Sequence, residues 1–187
     1  MLKVEAPGDA REILLHACCA PCSGAVLECL RDSGIRPVVF FSNSNITPRA
    51  EYDLRLAELR RYAELMGVEL VEDAYDHDAW LDAVRGLEAE PERGARCAAC
   101  FRFRLGRAAR YAASRGLPVL ATTLASSRWK DLDQVNEAGN TVCSEAVFWP
   151  QNWRKGGLQE RRNEVIREQG FYNQTWCGCE FSRNVNP

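Results

Sequence analysis

Four short apolar runs, each followed by a stretch patterned for a helix, constrain the fold of this chain more than any other feature. Residues 12–17 (EILLHA), 37–42 (PVVFFS), 68–71 (VELV) and 118–122 (PVLAT) read as buried strands. After the first run, Pro21 and Ser23 open a helix that continues to about Arg31, and Gly34 can end it. A second helix runs from Pro48 to Met66 and stops at Gly67. Further helices are expected over residues 78–84, 97–115, 130–138 and 158–169. The polar stretch 86–96, with Pro91 and Gly94, reads as a loop, and the tail from Phe171 as irregular. Strand and helix in alternation predict an α/β fold, a parallel sheet flanked by helices. Sites in such sheets lie just past the carboxyl ends of the strands. The loops 16–22, 43–48 and 122–130 are therefore expected to converge.

The chain has 187 residues, enough for one domain. No run approaches the roughly 18 apolar residues of a membrane helix. The opening residues lack a basic region, a long apolar stretch and a small-residue cleavage site, so the expected location is cytoplasmic. In a reducing compartment, nine cysteines suggest metal or redox chemistry rather than a disulfide framework. The formal net charge is −2, so any nucleic-acid contact must come from a local patch.

Seven of the nine cysteines fall in three tight groups: Cys18, Cys19 and Cys22; Cys97 and Cys100; Cys177 and Cys179. Each group lies in a turn or at a helix start, where backbone dipoles favour the thiolate. Structural disulfides fit poorly, because neighbours such as Cys18 and Cys19 pair badly with each other. Structural zinc needs only four ligands, fewer than the clustered thiols provide. An iron–sulfur cluster held by four thiolates leaves thiols over for a second metal or a redox pair, and this is the favoured reading. Cys29, within the apolar pattern of the first helix, is expected to be a core residue, and the solitary Cys143 to have no catalytic role.

Between Arg93 and Arg115 there are seven arginines and no acid. Helical spacing puts Phe101, Leu105, Ala108, Ala109 and Ala112 on one side, with Arg104, Arg107 and Arg110 expected as a solvent-facing stripe for phosphate. A second, diluted basic group (Arg154, Lys155, Arg161 and Arg162) lies near Trp149 and Trp153, which either stack a base or pack in the core. Asn43 and Asn45 are candidates for nucleoside contact or for turn chemistry. Thr122, Thr123 and Ser126 stand where a phosphate loop can form, with Lys130 opening the next helix. His16 is read as a hydrogen-bonded structural histidine and His77 as a surface residue. No Walker A or G-x-G-x-x-G pattern occurs, so neither ATP nor NAD is expected.

In chain order come HACCAPCS, NSNITP with EYDLRLAE, RCAACFRFRLGRAA, TTLASSRWKDLDQV, RKGG and YNQTWCGCEFS. Over nearly the whole length these closely resemble the QueH-type epoxyqueuosine reductases. The resemblance implies a nucleotide-hydrolase-like (HUP or PP-loop-like) fold in a single domain, residues 1–187. Its α/β core would span 1–145, and a cysteine-bearing C-terminal extension over 146–187 would close the metal site. It implies the last step of queuosine formation, reduction of epoxyqueuosine to queuosine at the wobble position of tRNA. It also implies a 4Fe-4S cluster on Cys18, Cys19, Cys97 and Cys100. Cys177 and Cys179 become a redox-active pair or ligands of a second metal, a mononuclear iron that Cys22 can help complete.

Cys177, Cys179, Cys22 and Asp76 are accordingly the catalytic candidates. Tyr75, Tyr172 and Lys130 join Asp76 as proton sources. Such a reaction needs two electrons and two protons and releases water, so a cofactor must supply the electrons. A second iron would act on the epoxide oxygen as a Lewis acid, and a small ferredoxin or flavodoxin would be the donor. Two other readings share parts of this pattern. A PP-loop-like tRNA sulfur transferase would need ATP, and a zinc-stabilised RNA-binding module would need fewer thiols.

Overall fold

A computed structural model of the chain describes residues 2–182. Its strands are β1 (Glu12–His16), β2 (Arg36–Phe41), β3 (Leu70–Glu72), β4 (Val119–Thr122) and β5 (Val147–Phe148). Its helices are α1 (Ala20–Asp32), α2 (Arg49–Met66), α3 (His77–Ala83), α4 (Ala95–Ser114), α5 (Leu132–Val142) and α6 (Leu158–Gln169). Short 3-10 turns occupy Thr123–Ser126 and Glu180–Ser182. All strand pairs are parallel, in the order β3-β2-β1-β4-β5. The α/β parallel sheet expected from the alternation is therefore present.

The pleat explains why the strands read as unbroken apolar runs. Ile13, Leu15, Val39, Phe41, Val119 and Ala121 point into one core, shared with α1, α2 and α6. Leu14, Val38, Phe40 and Leu120 point into the other, under α4 and α5. With both faces covered, no alternating polar positions survive.

The strand order reverses direction between β1 and β4, which leaves a crevice outside their carboxyl ends. The Cys18–Cys22 segment follows β1 and the Thr123–Ser126 turn follows β4, so both face that crevice. Cys19 caps α1 and Pro21 occupies its first turn. Glycines end α2 and α6 in the left-handed conformation, at Gly67 and Gly170.

Three features depart from the pattern expected from sequence. The sheet takes its fifth strand from beyond residue 145, because Val147 and Phe148 pair with β4. The segment after 145 thus contributes to the core as well as to the site. The helix expected over 130–138 begins at Leu132 and runs to Val142, because Asp131 caps it by accepting from the Gln134 amide. His77 is not a surface residue: it lies half-buried, stacked between Tyr75 and Trp80. Among the described residues no helix is long and apolar enough to cross a membrane.

Gly139 of α5 packs directly against the Phe148 ring of β5, where a methyl group would collide with it. Gly139→Ala is expected to destabilise the protein by about 1–3 kcal/mol through overpacking. A lowered thermal midpoint with unchanged far-ultraviolet dichroism at low temperature would be the signature; an unchanged midpoint would contradict the packing described.

Candidate metal centre

The seven clustered cysteines all come to the carboxyl end of the sheet, and the structure sorts them into two neighbouring groups. Cys18, Cys19 and Cys22 form the first, with their three Sγ atoms within 4.8 Å of one another. Cys97, Cys100, Cys177 and Cys179 form the second, around one cavity of about 30 Å³. The quartet Cys18, Cys19, Cys97 and Cys100 implied by the resemblance is divided between them.

The first group is built by the turn that joins β1 to α1. Cys18 and Cys19 sit at the helix cap, and Cys22 is in the first turn. The Cys18 and Cys19 Sγ atoms are 3.7 Å apart. Two thiolates on one tetrahedral metal ion at a metal–sulfur distance of ~2.3 Å would be ~3.8 Å apart. The spacing suits a single ion more closely than the edge of a larger cluster. Thr123, from the turn after β4, holds the Cys18 backbone N–H at 3.1 Å and approaches its Sγ at 3.5 Å. From the C-terminal segment, the Gln174 amide donates to the Cys19 Sγ at 2.7 Å. Cys18 is the thiol held well below its ordinary pKa. Hydrogen bonds from Cys19 and Cys22 are the main cause, and the Arg104 charge assists. Burial pushes Cys19 up, and the Cys18 interaction pushes Cys22 up to about 12. Within the group the thiolate form is therefore favoured at Cys18 over its two neighbours.

The second group joins two distant segments. Cys97 and Cys100 lie one turn apart at the start of α4 and share a face. Cys177 and Cys179 flank Gly178, whose φ of +98 is open to glycine and strained for other residues. A Cβ there would come within 2.9 Å of Ile46. Buried Arg55 of α2 fastens this segment. It is paired with Glu51, and its guanidinium donates to the carbonyls of Cys177 at 3.1 Å and Trp176 at 3.3 Å. Ser182 lies 3.2 Å from the Cys177 Sγ and donates to the Cys179 carbonyl at 2.7 Å. Cys177 is held well below the usual thiol range, first by Cys179 and then by Lys130, whereas Cys179 and Cys97 are pushed up. Burial works against the charge of Lys130, yet the thiols of Cys177, Cys100 and Cys97 raise its pKa on balance. Lys130 therefore faces the cavity as an ammonium. Four sulfur donors from two segments, with cations at the rim, fit an iron–sulfur centre as well as a single soft metal.

The other expected site residues take several roles. Arg104 belongs to no exposed stripe. It stands three residues after Phe101 and four before Ala108, on the row of α4 that faces the sheet, and is 3% exposed. It donates to the Ser42 carbonyl at 3.2 Å and to the side-chain oxygen of Asn43. Arg107 forms a bidentate pair with Asp73, so of the three only Arg110 faces solvent. Asn43 also donates to the Ala17 carbonyl at 2.9 Å, which fixes the turn before the cysteines. Asn45 is buried against the cavity, and its side-chain oxygen has no hydrogen-bond partner among the described residues.

Thr122 bonds His16 at 2.8 Å and is buried, and Ser126 is buried as well. His16 is structural, also bonded to the Ser42 carbonyl at 3.1 Å; burial drops its pKa to about 3, which keeps it neutral. Asp76 is exposed and caps α3 by accepting from the Ala79 amide at 3.0 Å. Tyr75 donates to the Ile46 carbonyl and Tyr172 to Glu51. Among these proton-source candidates, Lys130 lines the thiol cavity. Trp149 and Trp153 are core residues, and Arg161 is consumed by Glu28, Glu164 and Glu168. Cys29 is buried and bonds the Leu2 carbonyl at 3.1 Å. Cys143 stands apart, its thiol pushed up to about 11 by burial. Sequence reasoning missed Arg55, Gln174 and Ser182. They sit at ordinary helix or tail positions, with no spacing that marks them.

A parallel α/β sheet with two thiol groups at its switch point defines a protein with the donor set of a metal or iron–sulfur centre. The family model described as epoxyqueuosine reductase QueH matches residues 13–185. Epoxyqueuosine reductase QueH of Histophilus somni is 44% identical over 98% of this chain and 77% of its own length. The protein of that name from Acinetobacter baylyi is 42% identical over 99% of this chain and 87% of its own. The one from Haemophilus influenzae is 42% identical over 96% and 75%. This chain belongs to the QueH family of epoxyqueuosine reductases, which are oxidoreductases.

Asp73, which accepts from Ser42 at 2.6 Å and from Arg107, joins the ends of β2 and β3 to α4. Burial works to raise its pKa, but the bonds from Arg107 and Ser42 win and hold it low. A carboxyl depressed in the folded state stabilises it above the unfolded value of about 3.9, and this is lost as pH falls. Asp73→Asn should therefore cost about 1–3 kcal/mol at neutral pH. The gap from the parent should narrow below pH ~4. Urea unfolding across that range measures it; a gap independent of pH would refute the pairing.

Proposed function

We propose that this protein reduces the epoxide of epoxyqueuosine to the cyclopentene of queuosine at the wobble position of tRNA. The reaction consumes two electrons and two protons and releases the epoxide oxygen as water. The observation that carries the reading is the gathering of seven thiols from three separate segments at the carboxyl end of the sheet, in a chain of this family.

The geometry favours a 4Fe-4S cluster on Cys97, Cys100, Cys177 and Cys179, with a mononuclear iron on Cys18, Cys19 and Cys22. When bound, these groups would supply single electrons and a Lewis acid for the oxygen. The chain's own residues do the rest. Lys130 holds a proton at Nζ on the cavity wall, where an oxygen leaving as water needs one. Buried Arg104 adds a fixed positive charge between the two thiol groups, since it lines the cavity and also acts on Cys18. Trp80 and Phe101 form apolar walls that exclude water from the thiols. Asn45 offers an unsatisfied side-chain oxygen to a substrate hydroxyl. Arg110 and the cations near Lys130 supply phosphate contacts. A small ferredoxin or flavodoxin in the cytoplasm fits the need for single electrons.

The test begins with iron and sulfide analysis of anaerobically purified protein, followed by nucleoside analysis of epoxyqueuosine tRNA after incubation with a reductant. About five irons per chain, with sulfide and broad absorption near roughly 400 nm, are expected, together with conversion to queuosine. Cys97→Ala and Cys177→Ala should each remove the visible band. Cys18→Ala and Cys22→Ala should keep it, lose about one iron and abolish turnover. A band lost in Cys18→Ala but kept in Cys177→Ala would restore the quartet Cys18, Cys19, Cys97 and Cys100. Zinc without sulfide, after anaerobic reconstitution, would sink the redox reading.

A further inference from the structure

We propose that Trp129 is a stacking platform for an unpaired base of the RNA substrate, beside the nucleoside that reaches the thiol cavity. The inference deepens the proposed function and rests on it. Trp129 is 68% exposed, more than any other large hydrophobic residue among those described. Trp80, Trp149 and Trp153 are buried, and Trp176 is half-buried. An indole left in water needs a reason, and its position suggests one: Trp129 lines the same cavity as Cys97, Cys100, Cys177 and Cys179.

The ring stands on a fixed support. Arg93 donates to the Trp129 carbonyl at 3.1 Å and to the Arg128 carbonyl at 3.4 Å. Arg154 bridges the Ser127 and Lys130 carbonyls at 2.6 and 2.8 Å. Two arginines thus clamp the short segment that presents the indole. The Arg128 guanidinium lies 5.2 Å from the ring centroid, a cation–π contact that pre-orients both groups. Among the described residues, none of Arg93, Arg128, Lys130 and Arg154 forms an ion pair with a carboxylate. The indole therefore sits among cations that make no ion pair, with the carboxylates of Glu92 and Asp131 lining the same cavity.

An exposed aromatic among unpaired cations is the chemistry that binds single-stranded nucleic acid, where bases stack on the ring and phosphates meet the cations. The cavity mouth adds the geometric reason. A nucleoside that leaves its stack to present its reacting ring at this mouth loses its stacking partner, and so does the base it leaves behind. Trp129 at the rim can replace that partner. A membrane or a folded protein partner would call for a broader apolar surface, whereas here one ring is surrounded by charge.

The test uses the full chain purified anaerobically, with an anticodon stem-loop RNA carrying guanosine at the wobble position as probe. Binding is followed by intrinsic tryptophan emission and by anisotropy of labelled RNA. The parent protein should be quenched on binding. Trp129→Phe should lose most of the quench yet bind within a few-fold, and Trp129→Ala should bind roughly tenfold or more weakly. Both variants should keep the visible spectrum and thermal midpoint of the parent. With epoxyqueuosine tRNA, Trp129→Ala should raise KM by a similar factor and leave kcat within a few-fold. Parent-like RNA affinity and KM in Trp129→Ala, in an enzyme that still reduces the substrate, would overturn the stacking role alone. Parent-like KM for tRNA with an altered dependence on the electron donor would overturn it in favour of donor docking. A parent protein that neither binds the stem-loop nor reduces epoxyqueuosine would take down the substrate reading as well.

Discussion

Arg104 carries a positive charge into a place where no carboxylate among the described residues pairs with it, and the rest of the site is arranged around that charge. Its guanidinium holds the Ser42 carbonyl and the Asn43 side chain at the end of β2. Asn43 reaches across to the Ala17 carbonyl after β1, and His16 meets the same Ser42 carbonyl from the strand beside it. Two strand ends and α4 are thereby locked in one register. Burying an unpaired cation is unfavourable unless something compensates it. Carbonyl dipoles do part of this, and the Cys18 thiolate answers the charge as well. The same charge that organises the backbone thus favours the anionic form of Cys18.

A second arginine performs the complementary task for the end of the chain. The segment 174–182 makes no strand and ends in a short 3-10 turn, so little regular structure holds it. Arg55, paired with Glu51 on α2, grips its carbonyls, and Gly178 allows the sharp reversal that brings both flanking thiols inward. The C-terminal cysteines consequently face Cys97 and Cys100 across one cavity, while Gln174 from the same segment touches Cys19. The two thiol groups are thus joined by this tail.

The distribution of cations follows from the packing. Arg107 is spent on Asp73, Arg161 on three glutamates and Arg104 on the strand ends. Arg93, Arg128, Lys130 and Arg154 make no ion pair among the described residues and gather around the cavity mouth, while further unpaired cations such as Arg102, Arg110 and Lys155 lie elsewhere on the surface. The group at the cavity mouth gives an acidic protein a local face for a polyanion, since screening confines each charge to a range of about 10 Å.

By itself the sequence determined the alternation of buried strands and helices, the parallel sheet, and the convergence of the loops after β1, β2 and β4. Those depend on local periodicity and on the rule that sites gather at strand ends, and residues 12–17, 37–42 and 118–122 carry them without help from distant contacts. The three cysteine groups, and the core role of Cys29, were legible for the same reason. Tertiary structure decided which thiols line one cavity, because Cys97 and Cys177 are far apart in sequence and the tail that carries Cys177 is held by Arg55 and turned at Gly178. It also decided that Arg104 faces inward, that Trp149 and Trp153 are core while Trp129 is exposed, and that β5 lies beyond residue 145. Each of these turns on which face of an element is covered by a partner distant in sequence, and periodicity within one segment does not specify that partner.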